Sequence, residues 1–174
     1  MHLHDPIARC VRGRPGRAGV KPNLVIGLGN PLMGDEGMGW HVIDQLTSDP
    51  RLPEDTDLLW GGTDLLAGAE QMEGRRRIIL VDALLDTTPV GSITVYGNGE
   101  GLRDLDDRQE HVHHLSLTQA LRLLQITSPS LRTVRFRLIA VSVDSVRMQS
   151  KLSLALAARM PQILDRVLQE LAEG

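Results

Sequence analysis

Ile78-Ile79-Leu80-Val81-Asp82 is the stretch on which the reading of the fold turns. Its apolar run is continuous rather than alternating, which predicts a strand covered on both faces, as in a parallel sheet between helical layers. Upstream, Leu24-Val25-Ile26 stops at glycine, and Gly39, Val42, Ile43 and Leu46 then follow at helical spacing, giving strand, loop and helix. Asp57 to Trp60 is a second short strand ending at Gly61-Gly62-Thr63. Leu65, Leu66, Ala69 and Met72 predict the helix after it, with Thr63 as its cap. Downstream, Ser92 to Tyr96 is a strand, and residues 97 to 112 form a polar, Gly/Asp-rich loop. Ser116 with Gln119 three residues later is a capping box, so a helix begins at Leu117 with Ala120, Leu121 and Leu124 on its inner face. Val134 to Val143 is the last strand. The chain ends in a helix striped by Ile163, Leu164, Val167, Leu168 and Leu171, with Pro161 marking a kink or a fresh start.

Strands alternating with helices predict an α/β fold, a three-layer sandwich whose central sheet of about five strands is mostly parallel and flanked by helices. Sheets of this kind place their sites in crevices outside the carboxyl ends of the strands. The loop after Ile26 and the residue closing the Ile78 to Val81 run both fall on that edge.

A chain of 174 residues suits one domain. With two Trp, one Tyr and one Phe, its core must be built from aliphatic residues, and little is left for a base-stacking surface. The net charge of -3 hides an asymmetry: residues 1 to 22 carry Arg9, Arg12, Arg14, Arg17 and Lys21 against Asp5, or +4, which leaves -7 for the rest. That basic head, rich in Pro and Gly and without the apolar run of a secretory signal, reads as a disordered extension or the product of an upstream start codon, with the domain spanning residues 23 to 174. The acidic body disfavours nucleic acid. The single cysteine, Cys10, lies in the head, so no internal disulfide or thiol site can form. No apolar stretch approaches the roughly 18 residues of a membrane span, and a cytoplasmic location is expected.

Three fragments carry the chemistry. In Gly27-Leu28-Gly29-Asn30-Pro31-Leu32-Met33-Gly34-Asp35-Glu36-Gly37, the opening invites a dinucleotide reading. The fingerprint fails because Leu32 stands where a third glycine should let the helix pack against the strand. No Gly-Lys-Ser/Thr follows, and Asp35 and Glu36 would repel a pyrophosphate; the pair suits a cation, or else favours the N-terminus of the following helix. Asp82, at the end of an apolar strand, must find a partner or lose its charge, unless it serves as a cap or turn residue. His111-Val112-His113-His114 holds half of the six histidines, a concentration useful to a metal site, although a solvent-facing loop would also accommodate it. Asp86, one helical turn after Asp82, is a weaker candidate that reads rather as a solvated loop residue, and His41 reads as a helix-edge residue.

From Asn23 onward these motifs resemble the hydrogenase maturation endopeptidases, which trim the C-terminal extension from the large subunit of nickel-iron hydrogenases. The resemblance implies that Glu36, the second acid of its pair, contacts metal while Asp35 supports it, and that Asp82 is the second ligand. The pattern His-x-Leu-Ser-Leu makes His113 the third, with His114 pointing away or supporting the site. The implied catalytic and metal-contacting set is therefore Glu36, Asp82 and His113. The implied partner is a nickel-loaded large-subunit precursor, with no nucleic acid and no membrane. Nickel would be carried by the precursor, and the free enzyme would bind it only moderately, since two oxygens and one nitrogen leave coordination positions open. The family is classed with aspartic peptidases, yet no Asp-Thr/Ser-Gly pair occurs here. Two departures stand out: Trp60 replaces an Asp common at that strand end, and Ala140 to Asp144 lacks the Gly and Pro common after the last strand. Two rivals are a non-catalytic nickel escort and a peptidyl-tRNA hydrolase. The second resembles Val25 to Pro31 but should continue into Arg-His-Asn rather than Asp35-Glu36-Gly37.

Overall fold

The structure, a computed structural model, describes residues 19–97 and 116–173. Within them five strands form one sheet: β1 (Asn23–Leu28), β2 (Thr56–Gly62), β3 (Arg77–Leu85), β4 (Ile93–Gly97) and β5 (Arg135–Val143). Their order is β2-β1-β3-β5-β4, all parallel except β4, which runs antiparallel to β5. Helices α1 (Met38–Leu46), α2 (Ala69–Met72), α3 (Leu117–Thr127) and α4 (Leu154–Ala172) cover the two faces. The expected α/β sandwich is what the chain forms.

The continuous apolar runs explain this. Alternate residues of β1 and β3 enter different cores: Leu24, Ile26, Ile78 and Leu80 meet Leu121 and Leu124 of α3, whereas Val25, Ile79 and Val81 meet Val42, Ile43, Ile163 and Val167 of α1 and α4. A strand buried on both sides cannot afford polar residues at either set of positions. The capping box forms as expected, with the Gln119 N–H donating to Ser116 Oγ and the Ser116 N–H donating to Gln119 Oε1, each at 3.1 Å.

Three local expectations change. The helix after β2 is a 3-10 turn, Leu65–Gly68, followed by the single turn of α2. Its cap is Asp64 and not Thr63, because Gly62 turns the chain at φ 62° and leaves the Asp64 carboxylate to accept the Leu66 N–H at 2.9 Å. Pro161 neither ends nor restarts α4, which is continuous from Leu154 to Ala172. Its ring and the Ala157 carbonyl it deprives of a donor both lie on the exposed side, where water can serve that carbonyl. β3 runs past Val81 to Leu85, so Asp82 lies within the strand.

The body holds the chain from before β1. Lys21 Nζ donates to the Thr56 carbonyl and pairs with Asp57 at 3.5 Å, and the Pro22 carbonyl accepts from the N–H groups of Arg76 and Arg77. The boundary proposed at residue 22 concerns positions of which 1–18 lie outside the described residues. A protein beginning at Gly19 keeps every one of these bonds, so its melting temperature is expected within about 3 °C of the full-length value. A larger loss by calorimetry would mean that the basic head contributes to the core.

Candidate active site

The strand order places a topological switch between β1 and β3, since the chain leaves β1 toward β2 on one side and returns to β3 on the other. Pairing of β1 with β3 ends at Gly27 and Val81, and Asp82 is paired only with Ala140 of β5. A crevice therefore opens where β1 departs, with Asp82 on one wall and the loop after β1 on the other.

That loop is held by close backbone contacts. Gly29, at φ 106°, lies so near residue 36 that a Cβ there would sit 1.9 Å from the Glu36 carbonyl oxygen. Asn30 Oδ1 accepts the Leu32 N–H at 3.0 Å, and Trp60 Nε1 donates to the Gly29 carbonyl at 3.1 Å. The Trp at this departure from the family pattern thus latches β2 to the loop. On the far side, Gly34 donates to the Gln149 carbonyl at 2.7 Å and Gln149 donates to the Leu32 carbonyl at 3.0 Å.

Inside the 3-10 turn Gly34–Gly37 the two acids part company. Asp35 is buried, 4 % exposed, and its Oδ1 accepts the N–H of Ser153, the residue capping α4, at 2.7 Å. It ties the loop to the last helix. Glu36 is half-buried, and burial raises its pKa above the ordinary carboxylate value. Asp82 is also half-buried. Burial foremost pushes its carboxyl up to about 7, the Ala83 N–H donating to Oδ1 at 2.9 Å opposes that rise, and the charge of Glu36 adds to it. The two carboxylates therefore feel each other across the crevice, and neither has a cationic side chain to offset its charge in the described residues. Such a pair is suited to a divalent cation or to a shared proton.

His113, with His111 and His114, lies outside the described residues, and among those described no three His, Cys, Asp or Glu gather as a metal cluster. Asp86, expected as a solvated loop residue, is half-buried and organises the turn after β3: it accepts from the Thr88 N–H, the Thr88 hydroxyl and the Ser142 hydroxyl. His41 stands edge-on to Trp40, with its Nε2 buried and without a hydrogen-bond partner among the described residues. Burial lowers its pKa, against the opposing pull of Asp44 and then Asp35.

A family model described as hydrogenase maturation protease matches residues 40–170. The chain belongs to the hydrogenase maturation protease family. Asp82 falls inside the matched span and Glu36 four residues before it. Hydrogenase 2 maturation protease of Escherichia coli K12 is 26 % identical over 151 residues, covering 87 % of this chain and 91 % of that protein. The E. coli hydrogenase maturating endopeptidase HybD superposes with a TM-score of 0.75 at 26 % identity over 87 % of this chain and 92 % of that one. A hydrogenase 2 maturation peptidase from a Thaumarchaeota archaeon superposes at 0.64 with 28 % identity, over 87 % and 98 %. As a hydrogenase maturation protease the chain is a peptidase. Among the described residues no helix is long and apolar enough to cross a membrane.

Proposed function

We propose that this hydrogenase maturation protease works in the cytoplasm, removing the C-terminal extension of a nickel-iron hydrogenase large-subunit precursor and recognising the nickel that the precursor carries. The observation that carries the reading is the convergence of Glu36 and Asp82 at the switch-point crevice, each destabilised as an anion by burial and Asp82 further by its neighbour. A cation arriving with the substrate relieves both costs at once, so the pair is complementary to a precursor that holds metal and poorly matched to one that does not. His113 would add the nitrogen ligand, and the precursor would supply the rest of the shell. Hydrolysis adds water across one peptide bond: its oxygen joins the carbonyl carbon, the C–N bond breaks, and a proton goes to the leaving amine.

The test is to incubate the purified protein with nickel-loaded and nickel-free precursors and to weigh the products. Loss of a C-terminal peptide from the loaded form alone is expected. Equal cleavage of the nickel-free precursor by metal-free enzyme sinks nickel recognition, and nickel binding without any cleavage establishes the escort instead.

A pH dependence follows with a defined sign. Cation binding requires Asp82 ionised, and its pKa is about 7, so protons compete below that value. Affinity for the nickel-loaded precursor is expected to fall up to about tenfold per pH unit below 7 and to level off above 8. A titration flat from pH 5.5 to 8 would remove Asp82 from the nickel-contacting set.

A further inference from the structure

Beside the crevice the surface is apolar where a water-facing loop should be polar. Met148 is 87 % exposed and Leu32 63 %. They are neighbours by construction: Met33 and Gln149 form a parallel bridge, with bonds from Gly34 to Gln149 and from Gln149 to Leu32, which sets Leu32 across from Met148. Leu32 is four residues from Glu36 in the same loop, so the ridge and the Glu36 wall of the crevice belong to one segment. Val146, 42 % exposed, extends it along the segment that follows β5.

Two cations, Arg147 and Lys151, stand on either side of Met148 in the chain, with the exposed Asp144 at the far end of the segment. Arg147 and Lys151 are exposed and have no ion pair among the described residues, in a protein whose net charge beyond residue 22 is -7. A basic and apolar strip on an acidic body is complementary to a segment both apolar and acidic. Methionine, unbranched and polarisable, adapts to such a partner without a preformed pocket.

We infer that the Leu32–Met148 ridge, with Arg147 and Lys151, docks an extended apolar and acidic segment of the hydrogenase precursor next to the scissile bond. The inference rests on the peptidase reading above and adds the surface that selects the substrate. It also gives a role to the stretch that follows Ala140 to Asp144, where the chain departs from the family pattern.

The experiment starts from a panel of nickel-loaded large-subunit precursors and uses whichever one the wild-type protein cleaves. The double variant Leu32→Gln, Met148→Gln should raise KM at least about tenfold with kcat within about twofold. Its melting temperature should hold, because both side chains already face water. The wild type should bind more weakly as salt rises, and the double variant Arg147→Glu, Lys151→Glu should raise KM similarly and abolish that salt effect. Unchanged KM in the first variant, or a loss confined to kcat, overturns the docking surface. Unchanged KM in the second overturns its preference for acidic segments. Wild-type self-association that the first variant abolishes would make a second copy the occupant and would also overturn the inference. Failure of the wild type to cleave any precursor strikes the peptidase reading itself, and the docking surface falls with it.

Discussion

Asp82→Asn is expected to cut precursor processing by a factor of about 1000 or more while making the protein more stable at pH 8. Activity is lost because an amide cannot neutralise a cation or carry a proton. Stability rises because the folded state holds an anion it would rather not hold. The unfolded carboxyl titrates near 3.8 and the folded one near 7, so between those values the folded state binds more protons than the unfolded. Stability therefore falls as pH rises through that window and stays low above it. Asparagine escapes the penalty, yet its Oδ1 can still accept the Ala83 N–H that fixes the side chain. For a side chain that keeps some contact with water, the gain at pH 8 is about 1 to 2 kcal/mol, or roughly 4 °C in melting temperature. It should shrink as pH falls toward 4 and vanish below about pH 3, where both states are protonated. A variant that melts below wild type at pH 8, or that still processes at wild-type rate, refutes the assignment of Asp82 as the strained site carboxylate. Glu36→Gln should likewise abolish processing, with a smaller stability gain.

The layers were legible because burial on two faces writes itself as unbroken apolar runs at Leu24 to Ile26 and Ile78 to Val81, and because a Ser116–Gln119 box has one structural meaning. The end of β3 was not. Asp82 marks the point where β1 stops pairing while β5 goes on to Leu85, and nothing along a single strand records which of its two neighbours has left. The division of labour between Asp35 and Glu36 was available only through resemblance, since the contact that separates them, from Ser153, comes from 118 residues away. Thr63 and Asp64 are both good caps in isolation, and the left-handed turn at Gly62 decides between them. The loop carrying His113 lies outside the described residues.

Gly39→Ala is expected to destabilise the protein by about 3 kcal/mol or more, although alanine at an ordinary helical site gains about 1 kcal/mol over glycine. The dinucleotide fingerprint was rejected because Leu32 occupies the place of its third glycine. The close approach that such a glycine serves is nevertheless made, seven residues later. A Cβ on Gly39 would sit 2.2 Å from the Leu28 carbonyl oxygen, 2.5 Å from the Leu28 nitrogen and 2.8 Å from the Val81 carbonyl oxygen. A Cβ on Gly27 would sit 2.1 Å from the Gly39 carbonyl oxygen. All of these neighbours are backbone, which no rotamer change can move. Relief requires α1 to lift off the sheet, and Met38, Val42, Ile43 and Leu46, each fully buried, would lose their contacts together. Glu36 lies three residues before Gly39 on the same advancing turn, so the lift also withdraws it from Asp82, and processing should fall with stability. Gly62→Ala is the control. Unlike the helical Gly39 it has a positive φ, of 62°, but no atom lies within 4 Å of its Cβ position, so only about 1 to 2 kcal/mol of backbone strain is expected there. Chemical denaturation should rank Gly39→Ala well below Gly62→Ala. The reverse order would mean that the strand and helix do not touch through their glycines, and that the crevice is positioned by something else.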